Sequence, residues 1–263
     1  MLRNITIGQY MARDSIIHNL DPRIKIVITI MMITALFFID TFSGYGLFFL
    51  SVLVIIYLSR IPLIRIIRGL KPVLFLVLLT LILHIFFTRG GEVIWQWGFI
   101  SIEAEGLYTG LFMVTRIILL IMFTSLLTLT TSPLELTDGI EYLLSPLKRV
   151  GVPASELAMM MTIALRFIPT LLEEADKIMK AQMARGADFE SGNLVKRARN
   201  LIPLLVPLFI SAFRRADDLA LAMESRCYHG GEGRTRLHEL KVRAGDFIAL
   251  ALALLLCVAF IYF

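Results

Sequence analysis

"PVLFLVLLTLILHIFFT", Pro72–Thr88, runs for seventeen residues without a formal charge. About 17–25 mostly apolar residues, wound as a helix, cross the hydrocarbon of a bilayer. Read that way, the stretch is a membrane span, and the rest of the chain has to be read around it. Four further segments carry the same signature: Ile24–Ile39, Gly44–Ser59, Gly106–Thr130 and Phe247–Phe263. The first two are short and borrow flanking residues. Asp21-Pro22 opens the first with a capping carboxylate and a proline at the first helical position.

Composition agrees. The 263 residues are 57% hydrophobic and 18% charged, with a mean hydropathy of +0.79, whereas a soluble domain is about half apolar and about a quarter charged. Cys227 and Cys257 make no metal or disulfide pattern. The opening "MLRNITIGQYMARDSIIHNLDPRIK" is polar and mixed in charge, so no cleavable leader is expected there.

Basic residues gather in cytoplasmic loops, and here they alternate. Arg3, Arg13, Arg23 and Lys25 precede the first span, and Arg60, Arg65, Arg68 and Lys71 follow the second. The turn after the first span has Asp40 and no base. The loop after the third sets Arg89 against Glu92, Glu103 and Glu105, with Trp95 and Trp97 suited to a membrane interface. The order is in, out, in, out, in. It places the N-terminus inside, the C-terminus outside, and Ser132–Gly245 in the cytoplasm.

That long segment holds sixteen of the 26 Lys and Arg and fourteen of the 21 Asp and Glu. Its apolar residues recur at helical spacing (Leu157, Met160, Met161, Ala164, Leu165, Ile168, Leu171, Leu172), with Glu173, Glu174, Asp176, Lys177 and Lys180 on the other side. This predicts an amphipathic helix of about eight turns, kinked at Pro169. A shorter helix closed by Gly151 and Pro153 precedes it. A third, roughly Leu194–Cys227, contains Pro203 and Pro207. The expected fold is an all-α integral membrane protein: residues 1–131 form an arm and four spans, 132–244 form three long cytoplasmic helices, and 245–263 form the last span.

The second and third of these helices end alike, at Ala184-Arg185-Gly186 and Ser225-Arg226-Cys227. Capping is the simpler account of one such site, because a cation in the last turn complements the helix dipole by about 0.3–1 kcal/mol. Two sites of one form suggest something more. Small neighbours let another surface approach the backbone, leaving a guanidinium to make a bidentate contact with a carboxylate.

With "GQYMARDSIIHNLDPRIK", "ALRFIPTLLEEADKIMKAQMARG" and "LALAMESRC" in register, the chain resembles the transmembrane T component (EcfT) of energy-coupling factor vitamin transporters over essentially its whole length. The resemblance implies a non-catalytic coupling subunit of a vitamin importer in the cell membrane. In that family each small–Arg–small motif ends a coupling helix and docks on one of two ATP-binding-cassette ATPase subunits. A small membrane-embedded substrate-binding (S) subunit captures the vitamin. Ser225 and Cys227 depart from the commoner Ala-Arg-Gly form, though both are small. The partners implied are those subunits and membrane lipid, with no nucleic acid. No cofactor is expected in this chain: it lacks a Gly-x-x-x-x-Gly-Lys-Ser/Thr loop, so ATP would be bound by the ATPases.

The Met-rich and proline-rich apolar faces, Ala158–Ile168 and Ile202–Ile210, have two readings. Packing among the cytoplasmic helices accounts for most of them, yet three helices cannot bury every face. Met160, Met161, Leu165, Pro203, Leu204 and Pro207 are therefore the expected docking surface for the S subunit, since flexible methionines suit a partner that moves. Other groups read more plainly. His84 is expected to pack against a neighbouring helix and not to relay protons. Arg116, inside the fourth span, needs a protein partner. The N-terminal arm is expected to cap the first span and pack on the cytoplasmic helices. Arg214–Asp218, "RRADD", reads first as salt bridging on a helix face. A membrane enzyme transferring lipid or prenyl groups with Asp217 and Asp218 is the alternative; no metal site is expected.

Overall fold

The computed structural model of the chain describes residues 10–97, 100–189, 193–230 and 240–262. It is helical almost throughout: α1 (Pro22–Phe37), α2 (Phe42–Ser59), α3 (Leu63–Leu70), α4 (Leu74–Phe87), α5 (Ala104–Thr130), α6 (Pro133–Leu144), α7 (Ala154–Ala184), α8 (Leu194–Glu224) and α9 (Ala244–Tyr262). Two compact units divide it. One contains the described residues up to Gly139 and from Leu240 onward; the other begins at Ile140 and contains α7 and α8.

The first unit is a helix bundle. All five apolar segments fold as helices, but not every one is a full span. α1 has 16 residues, α3 and α4 join through a 3₁₀ turn into a 25-residue apolar stretch, and α9 is a shorter apolar helix. By length and apolarity four segments could cross a membrane: Phe42–Ser59, Leu63–Phe87, Ala104–Thr130 and, unexpectedly, α7. The cytoplasmic expectation for α7 rests on the alternation of basic loops and not on its length.

Sequence order explains the bundle's core. Met32, Leu36, Tyr45, Phe48, Val52, Leu119, Phe123 and Phe260 are buried among α1, α2, α5 and α9, with Phe48 within 5.8 Å of Phe123 and 5.2 Å of Phe260 between ring centroids. α4 buries none of its residues and lies along α5. The close approach is made by Gly106 and Gly110, four residues apart on one face of α5. A Cβ on Gly106 would stand 2.9 Å from the His84 carbonyl, and one on Gly110 would stand 3.3 Å from the His84 Cβ. Small residues at this spacing let membrane helices approach closely. His84 accordingly packs against a helix, its Nδ1 3.1 Å from the Thr88 hydroxyl.

The stretch between α4 and α5 is a β-hairpin where a loop was expected. Val93–Trp97 pairs antiparallel with Ile100–Glu103, Val93 opposite Glu103 and Trp97 opposite Ile100. Its β-branched and aromatic residues favour that geometry. The interface role expected of the Trp95 and Trp97 side chains lies outside the described residues.

Charge at the bundle's basic end is internally matched. Asp21 caps α1 by accepting the Arg23 amide at 2.9 Å, and takes the Arg23 Nε at 3.1 Å. The Asp21 amide donates to Asp246 Oδ1 at 2.8 Å, while Asp246 Oδ2 accepts the Arg243 amide at the start of α9. Lys25 donates to the carbonyls of His18 (2.9 Å) and Thr130 (3.1 Å), so its charge lies at the C-terminal end of α5. The His18 imidazole donates from Nε2 to the Met11 carbonyl, which leaves Nδ1 to accept from the Ser15 hydroxyl. Desolvation by burial lowers its pKa, in keeping with this neutral ring. The arm's bonds therefore run to the ends of the bundle's own helices: the Met11 amide to Leu129, the Arg13 guanidinium to the Arg60 carbonyl, and Arg23 to the Leu240 carbonyl. The end of the arm also meets the first helix of the 132–244 segment: a Cβ on Gly139 of α6 would stand 3.4 Å from the Arg23 amide nitrogen and 3.4 Å from the Pro22 carbonyl carbon.

Arg116 is resolved in the same way. Its Nε donates to the Tyr45 hydroxyl at 2.7 Å and its Nη2 to the Ile39 carbonyl at 3.1 Å, and the guanidinium lies 5.3–5.9 Å from the ring centres of Phe112, Phe37 and Tyr45. A carbonyl, a phenol and three ring faces thus supply its partners inside the protein.

Candidate functional site

In the second unit α7 and α8 each run 31 residues and pack antiparallel. The pairing follows from three ties. Glu174 accepts from the Ser211 hydroxyl and from Arg215 Nη2 (2.8 Å), Gln182 reaches the Pro203 carbonyl at 3.4 Å, and Asn200 reaches the Asp188 carbonyl at 2.5 Å. As the number rises on one helix it falls on the other. The Gln182 contact has a specific cause. Pro207 has no N–H to give the carbonyl four residues earlier, so the Pro203 oxygen is free for a side chain on α7. The prolines do not end their helices: Pro169 lies within α7, and Pro203 and Pro207 within α8.

Because the hairpin is antiparallel, its two C-termini point to opposite ends. At about 1.5 Å of rise per residue, Arg185 and Arg226 lie on the order of 40 Å apart along aligned axes. Both termini close with the same hydrogen-bond motif. The Gly186 amide donates to Met183 (2.9 Å) and the Ala187 amide to Gln182 (2.9 Å); likewise Cys227 donates to Glu224 (2.9 Å) and Tyr228 to Met223 (3.1 Å). These are paired Schellman bonds, in which the residue after the cap turns left-handed. Gly186 has φ +87° and Cys227 has φ +54°.

The chain turns away at once in both places, and each arginine is left on the rim. Arg185 and Arg226 are exposed, as are Ala184, Gly186, Ser225 and Cys227. Among the described residues neither guanidinium has an ion-pair or hydrogen-bond partner. The backbone alone caps both helices, so the two side chains are available to another molecule.

The two tips differ at one residue. A left-handed residue with a Cβ costs roughly 1–2 kcal/mol, which glycine avoids. Cys227→Gly should therefore tighten the α8 cap, slowing hydrogen exchange at the Tyr228 amide about threefold or more. Cys227→Val should speed it. Equal exchange in all three proteins would show that the left-handed turn carries no strain.

The expected docking face is mostly open. Met160, Met161, Pro203 and Pro207 are exposed and Leu165 is half-buried. Leu204 differs from the others: it is 7% exposed. Leu204 sits one residue beyond Pro203 on a helix whose exposed face includes Pro203 and Pro207, so it turns toward the interior.

Within "RRADD", Arg215 reaches across to Glu174 on α7, so its salt bridge joins two helices where one helix face was expected. Asp217 and Asp218 are exposed, and the described residues contain no cluster of three or more His, Cys, Asp or Glu able to hold a metal. Sequence reasoning missed several of these contacts. Asp246 just before an apolar run is a capping signal, and Gly106 and Gly110 form a small-xxx-small pair; both were legible. The ties of Asp246 to Asp21 and of Gln182 to Pro203 had no local signal.

Two comparisons bear on this geometry. The family described as cobalt transport protein, CbiQ, matches residues 13–237. A protein of Thermosediminibacter oceani is 61% identical over 248 residues, 94% of this chain and 93% of its own length. One of Clostridium kluyveri is 58% identical over 257 residues (97% and 95%), and one of Bacillus subtilis 46% identical over 263 (100% and 99%). Each of the three carries the name energy-coupling factor transporter transmembrane protein EcfT.

Proposed function

This chain belongs to the CbiQ family of cobalt transport proteins, and from that premise we propose that it is the non-catalytic transmembrane coupling subunit of an energy-coupling factor importer for a vitamin or other micronutrient. The carrying observation is the pair of exposed arginines, without a partner among the described residues, at the two tips of one antiparallel hairpin. Each would enter a groove on one cytosolic ATP-binding-cassette subunit. Ala184 and Gly186, and likewise Ser225 and Cys227, would let the groove close on the backbone. When the two ATPases move toward each other on binding ATP, the tips are displaced, and the braces at Glu174 and Gln182 make the hairpin move as one piece. An S subunit on the face containing Met160, Met161, Leu165, Pro203 and Pro207 would be reoriented with it.

In this reading the N-terminus and the hairpin lie in the cytoplasm and the C-terminus outside, as the alternation of basic loops requires. No residue of this chain handles ATP. The test is co-purification from a host that expresses the transporter's genes together: two ATPase polypeptides and a small membrane protein should accompany the chain through detergent.

The reading as a lipid- or prenyl-transferring enzyme makes an opposite claim. Asp217→Asn with Asp218→Asn should leave uptake and complex recovery within about twofold of wild type, as expected for exposed surface changes. A collapse of uptake with the complex still assembled would transfer support to that alternative.

A further inference from the structure

α3 is a short amphipathic helix set between α2 and α4 in the chain. Arg65, Arg68 and Lys71, three residues apart, form one basic ridge. All three are exposed, and none has an ion-pair partner among the described residues. Beside the ridge, Ile64 and Ile67 are 59% and 57% exposed, while Ile66 is buried and anchors the helix to the bundle. An exposed apolar row beside a basic row suits the boundary between lipid and water.

Between α3 and α5 runs a groove of about 470 Å³, lined by Gly69, Leu120, Thr124, Ser125, Thr128 and Thr131 among others. Gly69 makes the approach possible: a Cβ there would meet the Ser125 hydroxyl at 3.4 Å. The groove is graded along its length. Leu120 lies deep in the span, whereas Thr131 lies just beyond the end of α5. The hydroxyls of Thr124 and Thr128 bond to backbone carbonyls of their own helix, and the Thr131 hydroxyl, buried at 1% exposure, has no partner among the described residues.

We propose that this groove is a binding site for one anionic phospholipid. An acyl chain lies along Leu120 and Thr124, and the negative headgroup sits on the Arg65–Arg68–Lys71 ridge. The charge of the ridge selects the occupant: a zwitterionic headgroup brings its own ammonium and gains less from three unpaired cations. This site does not depend on the coupling reading, since a chain that bound no ATPase would still carry it.

Native mass spectrometry of the full-length chain tests it, with phosphatidylglycerol and phosphatidylcholine of identical acyl chains offered in turn. Each basic residue near an anionic surface contributes about fivefold. Wild type should therefore retain one phosphatidylglycerol with a preference of roughly a hundredfold, and Arg65→Gln with Arg68→Gln should lower that preference about 25-fold, to the roughly fivefold that Lys71 alone supplies. Both substitutions are at exposed positions, so folding is not at issue. Thr128→Phe, which fills the groove and leaves the ridge intact, should lower retention of both lipids. Equal retention of the two lipids by wild type would overturn the proposal. So would a phosphatidylglycerol preference left undiminished by Arg65→Gln with Arg68→Gln; the ridge would then be left for a protein partner.

Discussion

In a transporter carrying Arg185→Glu together with Arg226→Glu, neither ATPase subunit co-purifies with this chain, and substrate uptake falls to background. The magnitude follows from the nature of the contact. Truncating one partner of a buried, hydrogen-bonded charge pair at an interface costs about 2–5 kcal/mol, and reversal adds repulsion. Each single reversal should thus weaken assembly by roughly 30-fold or more at about 1.4 kcal/mol per tenfold. Arg185→Lys and Arg226→Lys should fall between, because an ammonium keeps the charge but loses the bidentate fork. The variants should fold normally: both side chains are exposed and the caps are made by backbone groups. Circular dichroism of the double variant therefore serves as the control. Recovery of both ATPases with the double variant, at wild-type yield, would end the coupling proposal.

The second large effect concerns stability. Asp21→Ala should destabilise the bundle by about 3–5 kcal/mol, the usual result of removing one partner of a buried ion pair. Asp21 is 6% exposed and Arg23 8%. Without the carboxylate, the α1 cap is lost and the Arg23 guanidinium stays buried with the Leu240 carbonyl as a remaining acceptor. A thermal-shift assay in detergent reads the loss. The mechanism makes a sharper claim than the single variant. Arg23→Met combined with Asp21→Ala should recover part of the stability, because the buried cation that faced the carboxylate is gone, and the two effects should not add. Strict additivity would mean that the pair does not act as a unit and that the loss is capping alone.

Much of this was legible because the bilayer imposes one-dimensional rules. A span needs length and apolarity, and a helix start needs a cap such as Asp21. An amphipathic arm needs apolar spacing, which the run from Leu157 to Ile168 provides. The paired arginines were legible too, since a small residue, an arginine and a small residue recur at two helix ends. What could not be read was reciprocal. The sequence holds Asp21 and Asp246 225 positions apart, and nothing local says that one donates its amide to the other. Leu204 lies in the same apolar run as Pro203 and Pro207, and composition cannot say which of the three turns inward. The β-hairpin was passed over as a loop because two short strands give a weaker signal than a span.

By itself, the sequence determined the helical membrane class, the five apolar helices and the positions of both arginine tips, because each is set by local composition and by the cost of leaving backbone groups unpaired in lipid. The tertiary structure decided the rest. It set α7 and α8 antiparallel, which sends Arg185 and Arg226 to opposite ends, and it braced them with Glu174 and with the carbonyl that Pro207 leaves free. It gave Arg116 its phenol and carbonyl, and opened a groove beside Gly69. These depend on distances between residues far apart in the chain, and such distances are fixed when side chains pack, not when helices form.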